Sequence, residues 1–306
     1  MDRFRFAEIT GSEIMNHLGI NLNYNIPGKW ILAGEHAVLR GCEALVFPLN
    51  SKFLNFSYKA SEKDFTLKLI GENSSDVEMI IWSVFEKALT EINLKRTDLK
   101  GELTITSHIS FGAGMGASAT LAVGISEFFK KLELLKTDSF SFAKKIEDLF
   151  HGESSGVDVA VALYQKPLLY KRGEPIIPLE NVTLPRLYLS HCGVRGVTKD
   201  CVTKVKKMHE LDSALAKQLD LQMSEAVVLF KKLLKESAPD LLAWMKAIKL
   251  SQNCFESWGL VPVEAQNHID QLKNHGALAC KMTGSGGGGY VLSLWQEDPP
   301  TVLSIE

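Results

Sequence analysis

The stretch Gly112-Ala113-Gly114-Met115-Gly116-Ala117-Ser118-Ala119-Thr120 carries three alternate glycines and leads into an apolar segment with helical spacing. Glu102–Thr106 before it alternates apolar and polar side chains, which predicts a strand. Glycines at this spacing leave backbone N–H groups free to converge on an anion, and the start of the following helix adds positive potential. The same stretch is also typical of a tight turn in which Ser118 caps the helix. A phosphate cradle and a packed turn therefore both remain open.

A second glycine-rich stretch, Thr283-Gly284-Ser285-Gly286-Gly287-Gly288-Gly289, lies near the end of the sequence. It formally contains the dinucleotide pattern GxGxxG, but that pattern has to open a helix in an early βαβ unit. Here the segment Tyr290–Trp295 predicts a strand instead. The first stretch does not match a P-loop either, since no Lys-Ser or Lys-Thr follows its glycines. We expect the second loop to approach a ligand or the first glycine loop closely.

Length and composition limit the classes of function that the chain can have. Its 306 residues exceed the size at which one hydrophobic core usually keeps growing, so two lobes are expected. The net charge of −2 offers no basic field, so we expect no nucleic-acid partner. The five scattered cysteines form no CxxC pair, so neither a disulfide framework nor a zinc site is indicated.

One uncharged stretch of eighteen residues, from Ile109 to Ser126, is long enough to be considered as a membrane span. Four of its residues are glycines and its first part alternates like a strand, which fits poorly in lipid. The first ten residues contain no apolar core of signal-peptide length. We therefore expect no membrane partner and a cytoplasmic location.

Strand and helix signals are mixed without regular alternation, which favours an α+β fold over a doubly wound parallel sheet. Asn21–Ile26 is expected to be a loop that leads into a strand at Trp30–Leu32. Turn residues around Arg172–Pro178 predict a lobe boundary near residue 182, so the lobes would span residues 1–182 and 183–306. Further strands are predicted at Ala44–Phe47, Leu54–Tyr58, Leu168–Tyr170, Leu187–Ser190 and Ala277–Met282. Helices are predicted at Ser75–Ile92, from Ser139 to His151, and at Val205–Leu219, Ser224–Glu236, Asp240–Phe255 and Val263–His275.

Three charged residues are candidates for chemistry, and each also has an ordinary explanation. Glu147 lies near the buried side of its predicted helix, where a carboxylate needs a cation; a salt bridge with Lys144 or Lys145 would supply one. Asp158 lies at a helix start, the usual place of a capping carboxylate. Lys29 in its Pro-Gly turn is typical of a surface lysine.

Together with Ser118, these residues form the set that phosphoryl transfer requires. That chemistry needs a phosphate cradle, a Mg²⁺ ion held by a hydroxyl and a carboxylate, a cation for developing charge, and a base near the acceptor hydroxyl. Ser118, Glu147, Lys29 and Asp158 supply these groups. Whether they meet in space depends on the fold.

Three segments resemble, in order, the motifs of the GHMP kinases, the small-molecule kinase superfamily that includes galactokinase, homoserine kinase and mevalonate kinase. Pro27–Val38 is similar to the first motif in its mevalonate kinase form, Gly112–Thr120 resembles the second, and Lys281–Gly289 resembles the third. His151–Asp158 is similar to the mevalonate kinase signature that ends in the catalytic aspartate. The resemblance extends from about residue 24 to residue 295.

This resemblance implies a two-lobe α+β fold, with a ribosomal-S5-like mixed α/β lobe at the N-terminus and a helix-rich α+β lobe at the C-terminus. It implies a kinase that uses ATP and Mg²⁺ to phosphorylate the C5 hydroxyl of mevalonate, in isoprenoid precursor synthesis. A homodimer is a further possibility that it leaves open.

The resemblance also implies a role for each matching residue. Asp158 would be the catalytic base, Lys29 would stabilise the transferring group, and Ser118 and Glu147 would hold Mg²⁺. The phosphates would lie against Gly112, Ala113, Gly114, Met115, Gly116, Ala117 and Ser118. The substrate side would be lined by Glu35, His36 and Thr198, and the second glycine loop would contribute Gly284, Ser285, Gly286 and Gly287.

Some residues depart from the family pattern, and other acceptors remain possible. Ser110, Met115 and Ala117 stand where the second motif usually has proline, leucine and serine, and Ser154 and Val159 replace a proline and an asparagine of the signature. The alternatives are a phosphomevalonate kinase, a mevalonate 3-kinase, a sugar kinase, or a non-catalytic ATP-binding relative. His36 and the signature favour mevalonate, and every charged group required for transfer is present.

Overall fold

The structure is a computed structural model that describes residues 20–71, 74–112, 114–151 and 154–301, without the side chains of residues 74–77, 150 and 151. In these ranges nine strands form two separate sheets, and eight α-helices pack on them. The mixture of one largely antiparallel sheet, a second antiparallel sheet and separate helices confirms the α+β class.

The first sheet has six strands and lies in the N-terminal half of the chain. They are β1 (Leu22–Ala33), β2 (Glu43–Asp64), β3 (Thr66–Ile70), β4 (Lys100–Ser107), β5 (Leu168–Lys171) and β6 (Ile177–Pro178). The strand order is β3-β4-β2-β5-β6, and β1 pairs with β2. Because β2 is 22 residues long, it can pair with β1, β4 and β5 along different parts of its length.

The helices of this half are α1 (Ser74–Glu91), α2 (Ala117–Lys131), α3 (Ser139–His151) and α4 (Val157–Tyr164). Helix α2 is central, since it packs on β1 and β2 and also against α3 and α4. Its apolar side chains, among them Leu121, Ile125 and Phe128, are fully buried. The close packing holds the start of α2, and with it the glycine loop, in a fixed place above the sheet.

The second sheet consists of β7 (Arg186–His191), β8 (Ala279–Thr283) and β9 (Tyr290–Trp295), with β9 in the middle. Four helices accompany it: α5 (Thr198–Leu211), α6 (Ser213–Leu233), α7 (Leu241–Ser257) and α8 (Val263–Asn274). Helix α6 packs between α5 and α7, while α7 and α8 cover β8. The predicted boundary at residue 182 falls between β6 and β7, and so between the two sheets, although the extent of each lobe stays a prediction.

The two halves meet along the end of β1. The Thr283 hydroxyl on β8 donates to the backbone oxygen of Ile31 at 2.9 Å and accepts from the backbone N–H of Ile31 at 3.0 Å. Lys231 on α6 donates to Glu43 on β2 at 2.8 Å. These contacts set the position of the second sheet relative to the first, and the cavity described below lies beside them.

Most predicted helices and strands are confirmed, with shifts at their ends. The uncharged stretch from Ile109 to Ser126 is divided between the glycine loop and the first part of α2. Among the described residues, no helix is both long enough and apolar enough to cross a membrane.

Three predictions of local structure are wrong. Residues 22–26 of the predicted loop Asn21–Ile26 belong to β1, because they pair with residues 54–58 of β2. The two strands predicted at Ala44–Phe47 and Leu54–Tyr58 are parts of one strand, since a register shift beside Pro27 and Gly28 accommodates the residues between them. The helix break predicted after Leu219 lies instead at Asp212, whose carboxylate caps α6 by accepting from the Leu215 N–H at 3.0 Å.

Candidate active site

A cavity of about 730 Å³ lies between the two halves of the chain. The first glycine loop, α2 and α4 contribute one wall, and α5 and the second glycine loop contribute the other. The predicted site residues that line it are Lys29, Glu35, His36, Gly112, Gly114, Gly116, Ala117, Ser118, Glu147, Asp158, Thr198, Gly284 and Ser285. Met115, Gly286 and Gly287 are not part of the lining, and Ala113 lies outside the described residues.

The first glycine loop turns through left-handed backbone at its three glycines. Gly112, Gly114 and Gly116 have φ angles of 79°, 86° and 76°, which side chains disfavour. A Cβ atom on Gly112 or Gly114 would meet nothing within 4 Å, whereas one on Gly116 would lie 2.9 Å from Cγ of Lys29. The loop is therefore open at its first two glycines, while the third makes room for the stem of Lys29.

Two of the helices that begin at the cavity, α2 and α4, start in the same way. Their N-caps are Gly116 and Gly156, both left-handed and without a capping side chain. Ser118 and Asp158 are each the second residue of their helix and line the cavity. The interpretation of these two side chains as ordinary N-caps is therefore wrong, and the positive ends of both helices lie at the cavity.

Lys29 and Asp158 form an ion pair at the cavity, with Nζ 3.1 Å from Oδ2. The lysine side chain is 6% exposed and the aspartate side chain 25%, so the carboxylate remains accessible to a ligand. The backbone N–H of Lys29 donates to the carbonyl oxygen of Met115 at 3.0 Å, which ties the lysine to the first glycine loop. A carboxylate that can accept a proton thus lies next to a cation that can stabilise negative charge.

Glu147 on α3 is only 3% exposed, and its Oε2 atom has no hydrogen-bond partner among the described residues. Burial raises the pKa of this carboxyl to about 8, and the negative charge of Asp158 adds to the rise. Lys144 and Lys145 do not neutralise it, since each pairs with another carboxylate. The explanation of Glu147 as one end of a helix salt bridge is therefore wrong.

Glu147 and Ser118, the two residues predicted to hold Mg²⁺, both line the cavity. Mg²⁺ is usually held by one or two protein carboxylates, and phosphate and water oxygens complete its octahedron. The buried, unpartnered Oε2 atom of Glu147 supports this prediction, because a cation would stabilise its ionised form. Within the described ranges, no group of three or more His, Cys, Asp or Glu side chains could hold a metal.

Glu35 follows β1 and is 2% exposed, and its Oε1 atom accepts a hydrogen bond of 2.6 Å from Nζ of the buried Lys281. Burial raises the pKa of Glu35 and lowers that of Lys281, and the charge of each opposes the shift of the other. The Oε2 atom of Glu35 has no hydrogen-bond partner in the part of the chain that the structure describes. One oxygen of this predicted substrate-side residue therefore joins the two halves.

His36 is buried, and its Nε2 atom lies 2.9 Å from the carbonyl oxygen of Ser285. A carbonyl oxygen can only accept, so Nε2 donates and carries the proton in this contact. Burial lowers the pKa of His36 to about 4, which keeps the ring neutral near pH 7. The Ser285 hydroxyl in turn lies 3.3 Å from Oγ1 of Thr198. Three predicted residues thus form a chain from the first motif through the second glycine loop to α5.

The second glycine loop is packed largely by the protein itself. A Cβ atom on Gly196 would lie 2.2 Å from the backbone oxygen of Gly286, and one on Gly288 would lie 2.8 Å from that of Val194. A Cβ atom on Gly284 would lie 3.2 Å from the backbone oxygen of Gly114. The expected approach of the two loops is confirmed at Gly284, while the other glycines allow contact with residues 194–196.

Several charged residues at the cavity were missed by the sequence analysis. Arg40, Arg172, Lys199 and Lys206 line it, and the Arg40 guanidinium donates to both carboxylate oxygens of Asp220 on α6, at 2.5 and 2.6 Å. No local pattern distinguishes these residues from surface cations. Lys281 was also missed, although a lysine within the apolar segment Ala277–Met282 was a usable signal, since a buried charge needs a partner.

Two family models match the chain. The model of the GHMP kinases N-terminal domain matches residues 79–166, and that of the GHMP kinases C-terminal domain matches residues 226–303. The chain belongs to the GHMP kinases and is a small-molecule kinase.

Individual relatives extend this result over most of the chain. A mevalonate kinase of Thermococcus gammatolerans is 27% identical over 303 residues, covering 91% of this chain and 90% of the relative. The structure of L. major mevalonate kinase in complex with R-mevalonate has a TM-score of 0.72 at 20% identity, covering 90% of this chain and 88% of that one. A Streptococcus pneumoniae phosphomevalonate kinase with phosphomevalonate and AMPPNP has a TM-score of 0.69 at 16% identity, covering 90% and 93%. At these identities the two structures show a shared fold alone.

Proposed function

We propose that the protein transfers the γ-phosphoryl group of ATP to the C5 hydroxyl of mevalonate, giving 5-phosphomevalonate for isoprenoid precursor synthesis. The observation that carries the proposal is the Lys29–Asp158 ion pair of 3.1 Å in a cavity that Glu147 and both glycine loops also line. The choice of acceptor is supported by the T. gammatolerans relative, named mevalonate kinase, and by the signature that ends at Asp158.

Asp158 is proposed as the general base. Its partly exposed carboxylate lies at the cavity, where it can accept the proton of an acceptor hydroxyl as that oxygen attacks phosphorus. Lys29, in contact with this carboxylate, is placed to stabilise negative charge on the transferring group. The pair therefore supplies both a proton acceptor and a fixed cation at the reacting centre.

The first glycine loop and the N-terminus of α2 are proposed to bind the phosphates. Gly112 and Gly114 have open space where side chains would stand, and the following helix directs its positive end at the same region. Ser118 and Glu147 would hold Mg²⁺, which neutralises charge on the phosphates when bound. The protein's own contribution is to keep these donors in place before the nucleotide arrives.

The acceptor is proposed to lie between Asp158 and α5. The neutral ring of His36 and the Thr198 hydroxyl both line this part of the cavity and are linked through Ser285. Glu35, the third residue expected on this side, also lines the cavity, and its Oε1 atom is bonded to Lys281.

A panel of acceptors tests the proposed reaction. Purified protein is incubated with Mg-ATP and mevalonate, phosphomevalonate, galactose or homoserine, and ADP release is followed. We expect release with mevalonate, and mass spectrometry should locate the phosphate on C5. Release with mevalonate no faster than without an acceptor would refute the specific reaction.

Substitution of Asp158 by Asn tests the assigned base. General-base catalysis typically contributes roughly 10²–10⁴-fold, so kcat should fall by about that factor while the protein remains folded. Asp270→Asn, on α8 and outside the cavity, is the matched control and should keep full activity. A variant at Asp158 with unchanged kcat would remove the base from the mechanism and leave the family assignment intact.

Phosphomevalonate is a second candidate acceptor, and one observation favours it. Lys199 and Lys206 line the cavity on one face of α5, two helical turns apart, and a second phosphate would need such cations. The acceptor panel separates the two candidates, since a phosphomevalonate kinase would release ADP with phosphomevalonate but not with mevalonate.

A further inference from the structure

The ion pair Glu35–Lys281 has no role in the transfer step proposed above, although it lies at the same cavity. Both side chains are buried, at 2% and 0% exposure, and they come from different halves of the chain. Removing two charges from water is costly, and apolar residues of similar volume often replace such pairs without loss of stability. Stability alone is therefore a weak explanation for this pair.

The Lys281 ammonium contacts β1, the Glu35 carboxylate that follows β1, and a ring on α7. Its Nζ atom donates to Oε1 of Glu35 at 2.6 Å and lies 3.3 Å from the backbone oxygen of Ile31. The ammonium also lies 5.4 Å from the ring centroid of Phe255 on α7. Lys281 thus holds both the backbone of β1 and the carboxylate that follows it.

The end of β1 also carries Lys29. Lys29 and Ile31 are two residues apart on one strand, so their side chains share a face, and both line the cavity. The backbone of Ile31 is held from β8 by Lys281 and by both hydrogen bonds of Thr283. A shift of β1 at Ile31 would move Lys29 relative to Asp158.

The four charged groups Asp158, Lys29, Glu35 and Lys281 alternate in sign. Asp158 contacts Lys29, and Glu35 contacts Lys281. The charge of Lys29 in turn acts on both members of the buried pair, lowering the pKa of Glu35 and of Lys281. An ionised Glu35 therefore provides a second negative charge within electrostatic range of Lys29.

We propose that Lys281 is a positioning residue for phosphoryl transfer: it holds the Glu35 carboxylate and the β1 backbone at Ile31 so that Lys29 remains in place against Asp158. The predictions for kcat rest on the proposed function, whereas the prediction for urea unfolding does not. It predicts a loss that appears in kcat, because the group displaced is Lys29 beside Asp158 at the reacting centre.

A double variant separates positioning from stability. In Glu35→Gln/Lys281→Met both charges are removed together, so no buried charge is left unpaired and the urea midpoint should stay near that of the wild type. We expect kcat to fall roughly 10- to 100-fold, with KM values for ATP and the acceptor changed less than about threefold. Glu43→Gln/Lys231→Met, a second Lys–Glu pair between the halves but outside the cavity lining, is the matched control and should keep kcat.

A double variant with the stability and the kcat of the wild type would overturn the proposal, since that is the result expected of a pair with a purely structural role. Should the double variant fail to fold, Glu35→Gln alone decides the question, because glutamine keeps the shape and the hydrogen bond but not the charge. The same loss of kcat with unchanged KM is expected there, and an unchanged kcat would overturn the proposal.

A measurement without any acceptor distinguishes this inference from the proposed function. Lys29→Met is combined with Glu35→Gln/Lys281→Met, and urea midpoints are compared in a thermodynamic cycle. Coupling between Lys29 and the pair should make the combined shift depart from the sum of the separate shifts by about 0.3 M or more. Additive shifts in this cycle would overturn the inference. If the shifts are coupled but the wild-type protein turns over none of the acceptors, only the proposed function is overturned.

Discussion

His36 combines a backbone of positive φ, with φ 58° and ψ −45°, and a buried ring that contacts Trp258 and Phe255. Residues other than glycine seldom adopt this conformation, and a buried imidazole loses the hydration of its charged form. The hydrogen bond to the Ser285 carbonyl oxygen offsets part of this cost only while Nε2 carries its proton. The residue is therefore held by tertiary contacts, and its protonation is linked to folding.

Stability should depend on pH through His36. Burial lowers its folded-state pKa to about 4, below the ordinary unfolded value of about 6.5. Between these values the unfolded state binds more protons, so the free energy of unfolding should fall as pH drops from about 6.5 towards 4. The contribution is roughly 2–3 kcal/mol.

Urea unfolding at pH 7 and pH 4.5 measures this effect in the wild type and in His36→Asn, since asparagine removes the titrating ring but keeps a hydrogen-bond donor. The decrease in stability between the two pH values should be smaller in the variant by about that amount. His275→Asn, at an exposed histidine, is the control and should leave the decrease unchanged. An equal decrease in all three proteins would contradict the assignment to His36.

Strand β4, the glycine loop and α2 form the element on which the site depends. The loop can bind phosphates only if α2 begins at a fixed point, and α2 is fixed by close contact with β1 and β2. Gly124 shows how close this contact is, since a Cβ atom there would lie 1.9 Å from Cζ of Phe56 on β2. The Tyr24 hydroxyl on β1 also donates to the backbone oxygen of Gly124 at 2.8 Å.

Gly124→Ala should destabilise the protein, although alanine is the better helix former by about 1 kcal/mol. The added methyl group would have to displace the Phe56 ring in a packed core, which typically costs about 1–3 kcal/mol. Urea unfolding gives the change in free energy. In the background of Phe56→Leu, which leaves room for the methyl group, the cost of Gly124→Ala should be smaller; a stabilising Gly124→Ala in the wild-type background would refute this packing.

At the scale of the whole molecule, the cavity exists because two sheets meet at the end of β1. Contacts between the halves at residues 31–40 lie along one side of the cavity, among them Thr283–Ile31, Lys281–Glu35, Ser285–His36 and Asp220–Arg40. They place the second glycine loop and α5 opposite the first glycine loop. The junction is therefore part of the site as well as of the fold.

Thr283→Val should weaken this junction. Valine has nearly the same shape but cannot accept from the Ile31 N–H, and a buried donor left unsatisfied costs about 1–3 kcal/mol. The Ile31 carbonyl oxygen loses the Thr283 hydroxyl but keeps its contact with Lys281. The free energy of unfolding should therefore decrease by about 1–3 kcal/mol, as measured by urea unfolding. Thr283→Ser keeps the hydroxyl and should lose less; equal losses in the two variants would show that the hydrogen bonds are not what holds β1 to β8.

The fold class and most elements followed from the sequence, because they depend on local periodicity and turn residues. The errors arose where pairing over long distances decided the outcome. The polar Asn21–Ile26 segment becomes a strand because β2 lies beside it, and β2 stays continuous because a register shift accommodates its middle. Asp212 separates α5 from α6 because its carboxylate caps the start of α6. The apolar spacing continues past Asp212, so the sequence pattern did not indicate a break there.

The sequence by itself determined the glycine loop that precedes α2 and the residue types that phosphoryl transfer needs, since residue types and their spacing are local properties of the chain. Only the tertiary structure decided that Lys29 meets Asp158, that Glu147 is buried while its neighbouring lysines pair elsewhere, and that Lys281 is the partner of Glu35. Those contacts join residues 129 and 246 positions apart, and burial depends on everything packed around a side chain. A local pattern contains neither kind of information, which is why the candidate site became definite only in the folded chain.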